Sequence, residues 1–145
     1  MDTPLAEFAS MLGLTQNGGL SPAPDQIMNK IREGLPVASL YRVSGQIAPG
    51  DNQFVFRIVP KASLARRKTK HKPLSSEQSD RLARLVSVWS IAHAIWRDAD
   101  QVREFLRRPH LMLGDRRPLD CVLESEVGAD LVKSILGRLV HGTAA

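Results

Sequence analysis

The chain has 145 residues, a mass of 16.0 kDa and a formal net charge of +5 at pH 7. That length fits one compact domain or two very small ones. A hydrophobic content of 43% is enough for a packed core and excludes a disordered chain, while aromatics at 5% point to Leu, Val, Ile and Ala as core material and favour helices. The single cysteine, Cys121, excludes an internal disulfide framework and a zinc knuckle and suits a reducing cytosol. No positively charged start followed by an apolar run is visible, and no apolar stretch approaches the roughly 20 residues of a membrane span. These features predict a soluble cytoplasmic protein.

Residues Pro4 to Leu14 carry Leu5, Phe8, Ala9, Met11 and Leu12 at near-helical spacing, with a stop around Gly13. The stretch Gln16 to Pro22, with Gly18-Gly19, separates this helix from the rest, so residues 1–23 read as a loosely attached arm. A second helix is predicted from Pro24-Asp25, where proline suits the first turn and the carboxylate faces the positive end of the helix dipole. Ile27, Met28 and Ile31 form its apolar face and Gly34 ends it. Pro36 restarts a helix through Val37, Leu40, Tyr41, Val43 and Ser44, closed by Pro49-Gly50. Phe54-Val55-Phe56-Arg57-Ile58-Val59 has strand-like composition, yet no second strand pattern exists to pair with it. Asp51 can cap a short helix that places Phe54 and Ile58 on one face, and helix is the reading adopted. Pro60 to Arg67 then gives another short helix whose cations sit at its negative end.

Seven cations lie between Arg57 and Lys72, namely Arg57, Lys61, Arg66, Arg67, Lys68, Lys70 and Lys72, with no acid among them. Since the chain holds 20 Lys and Arg against 15 Asp and Glu, all its excess positive charge resides in this segment. Such a localised basic run is the footprint of phosphate contacts or, more blandly, a solvated linker. Its coincidence with three short helices between Val37 and Lys68 matches a degenerate helix-turn-helix whose last helix would be the recognition helix. Residues 24–72 are therefore expected to form a helix-turn-helix-like domain.

Residues 73–145 are expected to form a helical bundle. Ser75-Ser76-Glu77-Gln78 fits a capping box opening a long helix to about Arg97. Leu82, Leu85, Val86, Trp89, His93 and Trp96 recur along it at three- and four-residue steps. Asp98-x-x-Gln101 opens a helix with Val102, Phe105 and Leu106 that stops before Pro109, and Pro118-Leu119 starts a short helix through Val122. A final helix, Ser125 to Leu139, is expected to turn Val127, Leu131, Val132, Ile135, Leu136 and Leu139 inward. The fold class predicted is all-α: a degenerate helix-turn-helix-like N-terminal part and a C-terminal helical bundle.

Catalytic constellations are nearly absent. His71, His93, His110 and His141 are too dispersed for a metal site, and no His-Glu-x-x-His occurs. Cys121 sits beside Val122 and Leu123, where a small buried thiol is expected. Gly18-Gly19 is not a phosphate loop, lacking both the Lys-Ser or Lys-Thr and the preceding strand. Glu124 and Glu126 read as ordinary solvent-facing charges. No cofactor or enzymatic activity is expected, so function should lie in binding. At the C-terminal tip Arg138 and His141 flank Leu139 and Val140, and Gly142 lets the chain turn. This end reads either as a capped helix terminus or as a probe able to plug a partner's anion-binding cleft.

The run Arg107-Arg108-Pro109-His110-Leu111-Met112-Leu113-Gly114-Asp115-Arg116-Arg117-Pro118-Leu119-Asp120, followed by Gly137-Arg138 and His141-Gly142, resembles the C-terminal domain of ParS/MbcA/Xre-type antitoxins. Ile31 to Val37, Pro60 to Arg67 and Leu74 to Leu82 resemble that family's preceding segments, so the likeness covers about Ile31 to Gly142. Gly45 to Val59 departs from it, being unlike a standard second helix of a helix-turn-helix. The resemblance implies an antitoxin of a type II pair. Its partner would be a RES-domain toxin that consumes NAD or ADP-ribosylates a target. It also implies dimerisation and repression of its own promoter. Carried onto this sequence it makes Arg116, Arg117, Arg138, Leu139, His141 and Gly142 toxin-binding candidates. Lys61, Ser63, Arg66, Arg67 and Lys68 become DNA-binding candidates. A stand-alone DNA-binding regulator is the alternative reading.

Overall fold

The computed structural model describes residues 4–15 and 22–142, so the Gly18-Gly19 stretch lies outside the described residues. The protein is all-helical, and among the described residues the only β contact is an isolated antiparallel bridge between His110 and Arg116. The helices are α1 (Pro4–Met11), α2 (Pro24–Glu33), α3 (Val37–Ile47), α4 (Val55–Ile58), α5 (Lys61–Thr69), α6 (Ser76–Trp96) and α7 (Ala99–Arg107). After a 3₁₀ turn at Leu111–Leu113 come α8 (Pro118–Glu124) and α9 (Glu126–His141). The chain divides into two compact units, Met1–Val86 and Ser87–Ala145, so α6 contributes its first half to one and its second half to the other.

In the first unit, α1 is docked on α3 rather than loosely attached. Ala9 and Leu12 are buried, and the buried Ser39 hydroxyl donates to the Leu12 carbonyl. The missing signal was the partner: two small polar positions of α3, Ser39 and Ser44, are buried along with Leu40 and Val43. Gly13, at φ 75°, ends α1 with the Gly13 and Leu14 amides donating back to the Ser10 and Ala9 carbonyls. As expected, Pro24 starts α2 and Gly34 follows its last residue. Gly34 is required sterically, because a Cβ there would lie 2.2 Å from the Leu74 carbonyl oxygen. The adjoining Leu35 amide donates to the buried Ser79 hydroxyl at 2.8 Å, and the Leu74 amide to the Leu35 carbonyl at 2.9 Å.

The ambiguous Phe54–Val59 segment is helical for a single turn, α4, with Asp51 accepting from the Gln53 amide just upstream. One turn is too short to hold itself. Phe54, Val55, Ile58 and Val59 are all buried, and the Arg81 guanidinium of α6 donates to the Ile58 carbonyl at 2.6 Å, satisfying an end that the helix leaves open.

The capping box at the start of α6 is present in full. The Gln78 amide donates to the Ser75 hydroxyl at 3.1 Å and the Ser75 amide to the Gln78 carboxamide oxygen at 2.9 Å. Leu82, Leu85 and Val86 are fully buried, each such side chain contributing roughly 1.5–3 kcal/mol.

In the second unit Val88, Trp89 and Ala92 of α6 are buried, while His93 and Trp96 are half-buried. Trp89 stacks on His93 and lies under the Arg103 guanidinium at 5.7 Å, and Trp96 packs on Phe105 at 5.2 Å between centroids. Asp98 caps α7 through the Asp100 amide. The two last helices approach closely at Gly128, where a Cβ would fall 2.0 Å from the Cys121 carbonyl oxygen. The Cys121 thiol is buried, as its apolar neighbours suggest.

Helix α9 corrects one expectation. Val132, Ile135 and Leu136 are buried, but Val127 is 67% exposed, Leu131 53% and Leu139 44%. The period that groups 132, 135 and 136 places 127, 131, 134 and 138 on the other side of the helix. Leu139 does share the inward line, but it falls in a last turn that nothing covers.

Candidate functional site

Two surfaces stand out, one in each unit. In the first, α5 and the turn after it carry the basic segment. Most of the expected DNA-binding residues make internal contacts there. Lys61 lies over the Phe56 ring at 5.6 Å, and Lys68 over Tyr41 at 4.6 Å. Ser63 accepts from the Gln78 carboxamide nitrogen at 2.9 Å, and Arg67 donates to the Pro73 carbonyl at 2.7 Å. Arg66 is exposed. Ser63, Arg66 and Arg67 share one hollow of about 240 Å³, which Lys70 and Lys72 complete. These last two lysines were counted in the basic run but not among the site candidates. Gln78 was read only as a cap, although it also anchors α5.

In the second unit, Arg116 and Arg117 belong to the segment between α7 and α8. The Arg116 guanidinium pairs with Glu124, so Glu124 is not a plain solvent-facing charge. The Arg116 carbonyl accepts from the His110 amide at 3.0 Å, which closes the bridge. The hydrogen bond that Arg116 donates to Glu124, and then the carboxylate's charge, push the Arg116 pKa up from an already high value. Arg117 is exposed at the N-cap of α8. Arg138, Leu139 and His141 are exposed on the last turns of α9, and Gly142 caps it at φ 66° with its amide donating to the Arg138 carbonyl. Arg138 reaches back to the 3₁₀ turn, its guanidinium 3.3 Å from the Met112 sulfur.

That contact joins the tip of α9 to a feature the sequence reading passed over. Leu111 is 81% exposed and Met112 also stands out of the unit. Among the described residues, six of the nine exposed large apolar side chains lie between Leu111 and Val140, although this stretch is a small part of the chain. The signal was available: α9 carries apolar residues at 127, 131, 132, 135, 136, 139 and 140, more than one inward stripe can hold. Exposed apolar side chains concentrated in one segment are a feature that interaction surfaces share. No group of three or more His, Cys, Asp or Glu side chains that could hold a metal ion occurs among the described residues, and no helix there is long and apolar enough to cross a membrane.

Residues 92–142 match the Antitoxin Xre/MbcA/ParS C-terminal toxin-binding domain, and residues 26–87 match the Antitoxin Xre-like helix-turn-helix domain. A curated relative from Photorhabdus laumondii, named Antitoxin Xre, is 30% identical over 115 residues, covering 77% of this chain and 76% of its own. The chain belongs to the Xre/MbcA/ParS antitoxin family. A second Antitoxin Xre, from Yersinia enterocolitica, is 38% identical over 85 residues, which are 58% of this chain and 57% of that protein, so the match spans little over half of the relative's length. A third, from Pseudomonas putida, is 24% identical over 119 residues, 81% of this chain and 72% of its own. The two family matches fall on the two surfaces: the basic hollow lies in the helix-turn-helix domain, and the exposed apolar residues lie in the toxin-binding domain.

Proposed function

We propose that this Xre-family chain is the antitoxin of a type II pair whose partner is a RES-domain toxin, consuming NAD or ADP-ribosylating a target. It binds that toxin through the surface formed by the 3₁₀ turn and α9. The last turn of α9, with Arg138, Leu139, His141 and Gly142, enters the toxin's active-site cleft. The observation that carries this reading is that, among the described residues, six of the nine exposed large apolar side chains lie in the toxin-binding domain, one of them, Met112, against the Arg138 guanidinium. An apolar surface surrounding one guanidinium suits a partner with an anion-binding cleft, since desolvated Arg and apolar anchors dominate interface energetics. The proposal places the protein in the cytoplasm as a homodimer without a cofactor.

Co-expression with the product of the adjacent reading frame tests it. A stable complex is expected, together with toxicity when this chain is omitted. Arg138→Ala should weaken the complex by about tenfold or more, and deletion of residues 139–145 should abolish neutralisation. Full neutralisation by both variants would sink the plug.

A second role is favoured by the basic surface of α5: binding of operator DNA and repression of the antitoxin's own promoter. The alternative that the chain acts as a stand-alone regulator rests on the same surface. Arg66→Glu is the cleaner test, because Arg67 also holds the Pro73 carbonyl. Unchanged DNA affinity in Arg66→Glu would remove α5 from consideration.

A further inference from the structure

The turn that follows α5 is built more firmly than a linker needs to be. The His71 amide donates to the Lys68 carbonyl at 3.2 Å and the Lys72 amide to the Arg67 carbonyl at 2.9 Å. His71 takes the left-handed conformation at φ 52°, where glycine is usual. Together these make the two-bond C-terminal motif in which the residue after the cap reverses the chain. Arg67 adds a third tie from its side chain to the Pro73 carbonyl at 2.7 Å. Lys70 already lies one turn beyond Arg66 and two beyond Ser63 on the same face of α5, and the reversal brings Lys72, which a straight helix would carry away, to the same hollow of about 240 Å³.

We infer that this hollow is a preformed clamp for the phosphate backbone of duplex DNA, Arg66, Lys70 and Lys72 each taking one of a run of phosphates and the Ser63 hydroxyl donating to one of them. The inference rests on the DNA-binding role proposed above. Ser63 is suited to the task, because its oxygen already accepts from Gln78 and its proton is left to donate outward. Three cations share the hollow's wall with Arg67 and no carboxylate lines it. Like charges held this close favour an occupant that neutralises several of them, which successive phosphodiesters of a polyanion do. The residues at the N-terminal end of α5, where base edges are met, offer Lys61 against Phe56 and little else that could read sequence. Binding is thus dominated by the phosphate backbone, with the grip at the C-terminal end of α5.

The test uses the full chain with short duplexes tiled across the DNA upstream of its reading frame, and a scrambled duplex of equal length. Affinity is measured against salt concentration. Replacing Lys70 and Lys72 together by Gln should lower the magnitude of the logarithmic salt slope by about 1.8, and Arg66→Gln alone by about 0.9. The loss should be the same on upstream and scrambled DNA. Both lysines are exposed, and thermal melting of each variant verifies the fold. An unchanged slope in the folded double variant overturns the clamp while leaving DNA binding by this chain intact. A loss confined to one upstream duplex also overturns it, since that would be base readout. Failure of the unmutated chain to bind any duplex overturns the DNA-binding role itself and the clamp with it.

Discussion

The basic surface of α5 and the apolar surface of α9 solve opposite problems. Around α5 charge is abundant, and the fold controls it by giving three cations an internal partner: Phe56 for Lys61, Tyr41 for Lys68, the Pro73 carbonyl for Arg67. Around α9 the fold leaves Leu111, Met112, Val127 and Leu131 exposed, with the Arg138 guanidinium against the Met112 sulfur. Charge exposed to water costs little, so its arrangement says how a ligand would be gripped. Apolar area exposed to water is unfavourable, and its concentration in one domain is what the toxin-binding proposal rests on. The difference teaches where association energy should come from: electrostatics that salt weakens on one side, burial that salt hardly touches on the other.

The strongest test of each unit's packing is a single methyl group. Gly128→Ala would drive a Cβ against the Cys121 carbonyl, and Gly34→Ala would do the same against the Leu74 carbonyl while also straining a φ of 118°. In both cases the obstruction is main chain, which cannot rotate aside. Each should cost about 3 kcal/mol and lower the melting temperature by roughly 10 °C. A melting curve unchanged by Gly128→Ala would show that α8 and α9 are not held at this contact. The next effect is on association. Leu131→Asp on the exposed side of α9 should weaken toxin binding by at least about 30-fold, equivalent to about 2 kcal/mol, while leaving melting unchanged. Titration calorimetry at low and high salt sharpens the contrast, because the toxin affinity should move far less with salt than the DNA affinity. Gln78→Leu comes third. It removes the acceptor of the Ser75 amide and the anchor of Ser63 together, while the backbone amide of residue 78 still donates to the Ser75 hydroxyl, so stability should fall by about 1–2 kcal/mol and DNA binding should weaken, with toxin binding unaltered.

How far these surfaces were legible in the sequence follows from the range of the interactions. Pro24, Gly34, Ser75 with Gln78, and Pro118 act over three or four residues, and the helix ends they announce are where the structure has them. The family likeness, read from the Leu113–Leu119 segment and the helix end at Arg138, was legible for the same reason: it is carried by short ordered segments. What stayed hidden acts at long range. Ser39 and Ser79 look like surface residues until Leu12 and Leu35 are brought to them. Arg81 looks like a solvent charge until its guanidinium reaches the carbonyl end of α4. For α9, periodicity supplied the apolar positions but not the arc that neighbouring helices cover, so Val127 and Leu131 were placed inside a core that stops short of them. Lys70 shares the face of Ser63 and Arg66 by helical spacing, whereas Lys72 was legible only as charge, and the reversal at His71 brings it to the same hollow.

The smallest predicted effect separates two arginines that the sequence ranked alike. Arg116 and Arg138 both belong to the toxin-binding domain, yet Arg116 already has Glu124 as a partner and, among the described residues, Arg138 has only the weak acceptor sulfur of Met112. The Glu124 carboxylate offsets the Arg116 charge, so Arg116 attracts a second anion less than Arg138 does. The pairing raises the Arg116 pKa, which means that any stability it confers is fully present below the ordinary arginine pKa and is lost only as pH climbs through the still higher folded value. Across the range where the protein can be handled, this pair should therefore give no pH dependence. Being exposed, it should also contribute little at physiological salt. Arg116→Ala should leave the melting temperature nearly unchanged and reduce toxin affinity by less than about threefold, against about tenfold or more for Arg138→Ala. If the two substitutions weakened the complex equally, Arg116 would be serving the toxin in spite of its pairing with Glu124. The double substitution Arg116→Ala with Glu124→Ala would then restore none of the lost affinity.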